Sequence, residues 1–261
     1  AEENNLAVKA MNARFARWHT CGLCEQRYHG VVCCALGWAC WKAYVSRPET
    51  DELRSLATDV LGSGLSAAGH HADALSVEEA HYSILRRIGA PESSLLASQV
   101  NLAVTYARLG RLDRAVSMGK DVYNGYLKLT GEESIDTLLA ALNYAVSLKN
   151  LDRFEEAKSL LRKTIPVTRR VIGDGHELTL KMRWNYAIAL YKAVGVTLDD
   201  LREAVTTLED TERTARRVLG GAHPTTAGIE RDLRIARAAL RARETPPPGP
   251  SVERTFARGW L

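Results

Sequence analysis

The chain has 261 residues, 46 % of them apolar and 25 % charged, with a formal net charge of +4, which is ample for a packed core. The charge is spread along the chain and gives no grounds for nucleic-acid binding, and neither the 14 uncharged residues from Tyr28 to Trp41 nor the 15 from Ser93 to Ala107 reach the ~20 needed to cross a bilayer. Eight prolines and 19 glycines, mostly between long helix-like stretches, argue against collagenous, wholly disordered and many-turned all-β classes.

The sequence begins at Ala1 with neither an initiating Met nor the apolar core of a secretory signal, so it reads as a fragment or a processed product. All five cysteines lie between Cys21 and Cys40. That is the wrong distribution for a disulfide framework, and a reducing, cytoplasmic compartment is expected. Cys21, Cys24, His29 and Cys34 have the C-x2-C-x4-H-x4-C spacing of a zinc knuckle, although Glu25 and Tyr28 stand where knuckles carry Gly. A structural reading stands beside it. Val31 to Trp41 is almost continuously apolar and suits a buried helix in which Cys acts as a small hydrophobe, with Trp38 and Trp41 capping the exposed flank of the first unit C-terminal to it.

Beyond this helix the chain repeats itself. Asn101-Leu102-Ala103, Asn143-Tyr144-Ala145 and Asn185-Tyr186-Ala187 recur at steps of 42 residues, and Gly89, Gly131, Gly173 and Gly220 close successive units. The last step is longer by five residues, an insertion expected in a loop within Ala193 to Leu198. A fainter first copy, Leu61-Gly62, Leu65, Gly69 and Ala74, lies 41 residues before Leu102-Ala103, Tyr106, Gly110 and Ala115. Spacing inside each unit is helical. Ala103, Ala145 and Ala187 on a first helix, opposite Ala115, Ala157 and Ala204 on a second, permit close approach of a helix pair.

The predicted fold is therefore all-α: an α-solenoid of about four helical hairpins and a terminal helix, behind an N-terminal cysteine-containing helical segment. Its expected divisions are residues 1–48, 51–244 and 245–261. Arg-rich last turns followed by Gly mark helix ends. Ser93, Ser134, His176 and His223-Pro224 mark starts. Pro166 is expected to kink or break its helix. Gly62-Ser63-Gly64 reads as a loosely packed stretch, and His70, His71 and His81 as solvent-exposed. No nucleophile and base or phosphate-cradling loop occurs at a usable spacing, so no enzymatic activity is expected. Beyond Glu244 the Pro-rich run predicts an extended tail, in which Phe256 and Trp260 are a docking element or simply part of a bland terminus.

These 42-residue units, with His223-Pro224, Asn101-Leu102-Ala103, Tyr106, Gly110 and Glu156-Ala157, resemble tetratricopeptide repeats of the kinesin-light-chain type over about residues 51 to 244. The pattern departs from them at Gly62, which replaces Ala, and at Asp152, which replaces the turn Gly. The resemblance implies that the first helices line a groove gripping an extended peptide. Carried over, Asn101, Asn143 and Asn185 point into that groove, with Val104, Val146 and Ile188 one turn on, while Arg108, Lys149, Lys181 and Lys192 favour an acidic protein or peptide. In the alternative reading the asparagines brace neighbouring helices and the charges form a solvated face. Leu102, Tyr144 and Tyr186 read as core.

Trp18 to Gly30, around Cys21-Gly22-Leu23-Cys24, resembles the end of a RING-variant (C4HC3) zinc finger, and the whole N-terminal stretch resembles proteins that carry such a finger ahead of kinesin-light-chain-like repeats. The resemblance implies that Cys21 and Cys24 are the last two of the eight ligands that hold two zinc ions in such fingers, a remnant expected to be metal-free or loosely metallated unless His29 and a later Cys such as Cys34 complete a zinc site. The finger's other ligands would lie before Ala1, and tetrahedral zinc needs four donors. Three functions stay open: a non-catalytic protein-interaction scaffold, the substrate-recruiting part of an E3 ubiquitin ligase whose finger is truncated here, and a spacer without a groove ligand. Neither nucleic acid nor membrane is an expected partner.

Overall fold

The structure is a computed structural model and describes residues 15–23 and 28–245; Cys24, Phe256 and Trp260 lie outside them. The described residues form ten α-helices: α1 (Gly30–Tyr44), α2 (Glu52–Ala67), α3 (His71–Arg87), α4 (Glu92–Arg108), α5 (Leu112–Thr130), α6 (Ile135–Asn150), α7 (Phe154–Ile172), α8 (Glu177–Lys192), α9 (Leu198–Leu219) and α10 (Pro224–Glu244). The fold is all-α, a run of helical hairpins as the 42-residue period predicts. Among the described residues no helix is long and apolar enough to cross a membrane. Two compact units divide the chain between Val171 and Ile172.

In the first unit α2 pairs with α3 and α4 with α5, and each second helix packs on the first helix of the next pair. First helices also meet directly, α2 with α4 and α4 with α6. The small residues make this approach feasible: Ala103, Ala115, Ala145 and Ala157 are all buried. Leu102 and Tyr144 are buried as well. The tight turns inside the pairs need a left-handed residue. Gly69 and Gly110 supply it with φ of 87° and 73°, and in the third pair Asp152 takes it with φ 57°, the one non-glycine at positive φ among the described residues. The turn survives the loss of its glycine because Asp tolerates this region better than most side chains.

The predicted helix starts hold with one shift. Ser134 is an N-cap, whereas α4 begins at Glu92 with Pro91 before it, placing Ser93 inside the first turn. Pro166 does not end its helix. α7 runs through it, with Pro166 on the solvent side, where water can replace the hydrogen bond the ring removes.

Helix α1 lies on α2. A side-chain carbon at Gly64 would stand 2.7 Å from the Cys33 carbonyl oxygen and 3.1 Å from the Cys34 Cα, and one at Gly37 3.0 Å from the Val60 oxygen. Gly62-Ser63-Gly64 is thus not loosely packed: Gly64 is where two backbones come closest. Cys40 is buried with Phe15, Ala57 and Val60, and burial pushes its thiol up to about 11. Trp41 packs against Leu61, Leu65 and Ala74, and its ring meets Trp38 edge-on at 5.8 Å. Trp38 itself stays 42 % exposed, so one of the two tryptophans is covered rather than both.

In the second unit α8 packs on α9, α9 on α10 and α10 on α8. The extra residues before Leu198 form the expected loop, closed by a capping box in which Thr197 and Asp200 bond each other's backbone N–H. His176 and His223 both cap helices, each accepting from a backbone N–H through Nδ1, and Pro224 opens α10. Ala187, Ala204 and Tyr186 are buried. So is Asp232, which accepts hydrogen bonds from Tyr191 Oη at 2.9 Å and Trp184 Nε1 at 2.8 Å and ties α8 to α10.

Candidate functional site

Within the first unit the predicted site residues fall on the face shared by α4 and α6. Asn101 is half-buried, and its Nδ2 donates a long 3.4 Å bond to Asp59 Oδ1 on α2. Asn143 is half-buried too. Its backbone carbonyl accepts from Ser147 Oγ at 3.0 Å, but its side-chain amide has no partner among the described residues. Val104 and Val146 are half-buried beside the two asparagines. Arg108, one turn beyond Val104, is exposed and has no ion pair among the described residues; Lys149 is half-buried.

The second unit presents its share differently. Asn185 and Ile188 are buried, 7 % and 6 % exposed, and the Asn185 Nδ2 donates to the Lys181 carbonyl at 2.8 Å. Lys181 Nζ pairs with Glu177 at 2.8 Å, and that hydrogen bond holds the Glu177 carboxyl below its ordinary range. Lys192 is exposed. The three asparagines thus stand in three states: weakly engaged, unengaged and used within their own helix.

Beside Asn143 lies a small crevice of about 10 Å³, room for about one water, lined by Val100, Ala103 and Val104 of α4, Gly119 and Val122 of α5 and Ala140, Asn143 and Ser147 of α6. Val100, Val104 and Asn143 are half-buried and the other lining residues buried, so the crevice opens onto the α4 and α6 face.

One repeat earlier the same positions are polar, a cluster that single-sequence reasoning missed. His81, read as exposed, is 4 % exposed. Its Nε2 lies 2.8 Å from Ser55 Oγ and its Nδ1 3.1 Å from Asp59 Oδ1, so a neutral ring donating to the carboxylate accepts from the hydroxyl. Hydroxyl, imidazole and carboxylate in line are the parts of a nucleophilic site, but a reacting serine also needs oxyanion donors and an open approach. Here Ser55 sits inside α2 with its own N–H bonded to the Asp51 carbonyl, and the ring is enclosed. The three groups brace α2 against α3. Next to them Glu78 is buried, its Oε1 accepting from Thr105 Oγ1 at 3.1 Å and its Oε2 without a partner. Burial raises its pKa to about 7; the Asp59 charge adds to this while the Thr105 bond and His81 oppose it. The signal was present: Glu78 and His81 stand 41 residues before Gly119 and Val122, polar residues at apolar repeat positions.

At the N-terminal end Cys21 is half-buried, His29 is the exposed residue preceding α1, and Cys34 is half-buried against Leu61, Leu65 and Ala74. Because Cys24 falls outside the described residues, the C-x2-C pair is not placed. Among the described residues no three His, Cys, Asp or Glu side chains converge as a metal site.

Residues 95–136 and 137–177 match the tetratricopeptide repeat family. The fold is similar to the nearly identical TPR-like repeats of a candidate kinesin light chain from Podosopora anserina, with a TM-score of 0.61 and 22 % identity over 76 % of this chain and 90 % of that one. It is similar also to BtubC (BKLC) from P. vanneervenii, with a TM-score of 0.56 and 16 % identity over 87 % and 97 % of the two chains. A Rap protein in complex with competence and sporulation factor gives a TM-score of 0.51 and 14 % identity over 81 % and 59 %. At these identities the likeness is one of fold. No curated protein matches the sequence.

Proposed function

We propose that this protein is a non-catalytic scaffold that binds an extended protein segment along the face shared by α4 and α6. Tetratricopeptide repeats are a protein–protein interaction fold, and a similarly folded Rap protein has been seen in complex with competence and sporulation factor. The observation that carries the reading is the Asn143 amide. It sits half-buried on α6 with neither its donor nor its acceptor engaged among the described residues, which suits it to pair with the N–H and C=O of a peptide main chain at once. Exposed Arg108 favours an acidic residue in that segment, whereas Asp59 on α2 disfavours one near the first repeat.

The test is an array of acidic and neutral peptides probed with the wild-type chain and with Asn143→Ala, circular dichroism confirming that both are folded. Peptides bound by the wild type should weaken roughly tenfold in Asn143→Ala, because their backbone groups lose a partner in a partly desolvated site. Equal binding by the two proteins, or none by the wild type, would overturn the reading. Asn185→Ala should act through stability rather than binding, since its amide is used within α8.

A further inference from the structure

In the first helices of the first unit the position of Asp59 is taken next by Val100 and then by Leu142, so this carboxylate belongs to the first repeat alone. Its Oδ1 is shared between His81 Nδ1 at 3.1 Å and Asn101 Nδ2 at 3.4 Å. Its Oδ2 has no partner among the described residues, no Lys or Arg among them pairs with it, and the side chain is 33 % exposed. Glu78 stands on α3 one turn from His81, only 5 % exposed and with Oε2 unpartnered. Gly62, one turn beyond Asp59 on α2, makes room for it: a Cβ there would lie 3.4 Å from Glu78 Oε1. Two carboxylates thus share a half-open corner with His81 of α3 and the neutral Asn101 and Thr105 of α4, and no permanent positive charge balances them.

We propose that Asp59 anchors a subsite for a basic side chain, lysine or arginine, of the extended segment, with the cation on Oδ2 and the buried Glu78 reinforcing its attraction from behind. The inference rests on the peptide-binding reading above and adds a charge preference where the segment reaches α2; Arg108, at the far end of α4, draws the opposite charge. The two carboxylates are coupled. Burial is the main cause of the Glu78 pKa of about 7, and the Asp59 charge adds to it. A cation on Asp59 offsets that charge and favours ionised Glu78, so binding releases a proton and tightens as pH rises from 6 to 8. The titratable groups facing Glu78 are Asp59 from α2 and His81 from α3, and α4 contributes the hydroxyl of Thr105.

A positional-scanning library of short acetylated, amidated peptides, with Lys, Arg, Gln and Glu compared at each position, tests this with the wild type, Asp59→Asn, Asn101→Lys and Glu78→Gln at pH 6 and pH 8. The wild type should select Lys or Arg over Gln at one position. Asp59→Asn, which is isosteric and can still accept from His81, should lose that selection roughly tenfold. Asn101→Lys, which sets a cation of the protein's own beside Asp59, should abolish it too, and it keeps the test decisive if Asp59→Asn disturbs folding. Between pH 6 and 8 the wild type should gain affinity for the basic peptide by a larger factor than Glu78→Gln; His81 is common to both, so the difference belongs to Glu78. Equal gains would overturn the reinforcement by Glu78. A wild type that binds peptides without a basic selection, or with one that both Asp59→Asn and Asn101→Lys leave intact, would overturn the subsite and leave the peptide-binding reading standing. A wild type that binds no peptide would overturn both.

Discussion

Asp59, Gly62, Glu78, His81, Asn101 and Thr105 meet where α2, α3 and α4 join; Val100, Ala103, Gly119, Val122, Asn143 and Ser147 occupy the corresponding positions where α4, α5 and α6 join. The first junction holds a polar network containing a buried carboxylate. The second is mostly apolar, with Asn143 and Ser147 beside a crevice of about 10 Å³. Repeat geometry fixes which positions come together but not what fills them, so the same backbone holds a polar brace in one place and a mostly apolar contact in the next. The asparagines differ accordingly: Asn101 is drawn toward Asp59, and the Asn143 amide, with only Val100 at the position of Asp59, has no partner among the described residues.

The contrast can be broken by moving the charge. Gly119→Glu places a carboxylate in the second junction, where Val122 and Ala103 stand in place of His81 and Gly62, so it should destabilise the protein by on the order of 2–4 kcal/mol at pH 8. The loss should shrink at pH 5, where the new carboxyl can protonate; urea unfolding at the two pH values reads it out, and an unchanged midpoint at pH 8 would mean that the crevice is effectively open water.

Removing the charge from the first junction should do the reverse. Glu78 has a folded-state pKa of about 7 against an ordinary 4.5, so its protonated form is the one the fold favours. The benefit is fully present below about pH 4.5 and is lost as pH rises through 7, because the folded protein binds the extra proton over that interval. Glu78→Gln should therefore be roughly 2–3 kcal/mol more stable than wild type at pH 8 and nearly equal to it at pH 4.5. Parallel stability curves for the two proteins across that range would show that Glu78 is charged and adequately solvated at neutral pH.

Legible and hidden features of the sequence divide along the same line. The hairpins, the five-residue insertion, His176 and His223 at helix starts and Asp152 in place of a turn glycine are local or periodic features, and each is visible in one chain. The burial of Asn185 and Glu78 depends on which residues a neighbouring helix brings, a repeat away in sequence. Gly62-Ser63-Gly64 misleads for a related reason. Gly64 is small because α1 lies on it, and α1 is outside the repeat, so no internal comparison could explain that glycine. Of the candidate site, the positions are legible from the 42-residue step, while the distinction between Asn143 and its two counterparts needs the side-chain contacts.

Gly62 yields the finest probe of the comparison. Ala103, Ala145 and Ala187 occupy its position in the other units, and helix propensity alone would favour Ala there by about 1 kcal/mol. A Cβ at Gly62, however, would lie 3.1 Å from the Glu78 Cγ, and Glu78 is buried and accepts a hydrogen bond from Thr105. Gly62→Ala should therefore destabilise by about 1 kcal/mol, whereas Gly119→Ala, with only ordinary contacts to make, should stabilise by about the same amount. If the cause is Glu78, its truncation must change the sign: in a Glu78→Ala background, where Cγ is gone, Gly62→Ala should become stabilising, and the double-mutant cycle should show a coupling of about 1–2 kcal/mol. A cycle that closes with no coupling would mean that Gly62 is glycine for a reason unrelated to the buried carboxylate, and the two junctions would then differ in their side chains without having adapted to them.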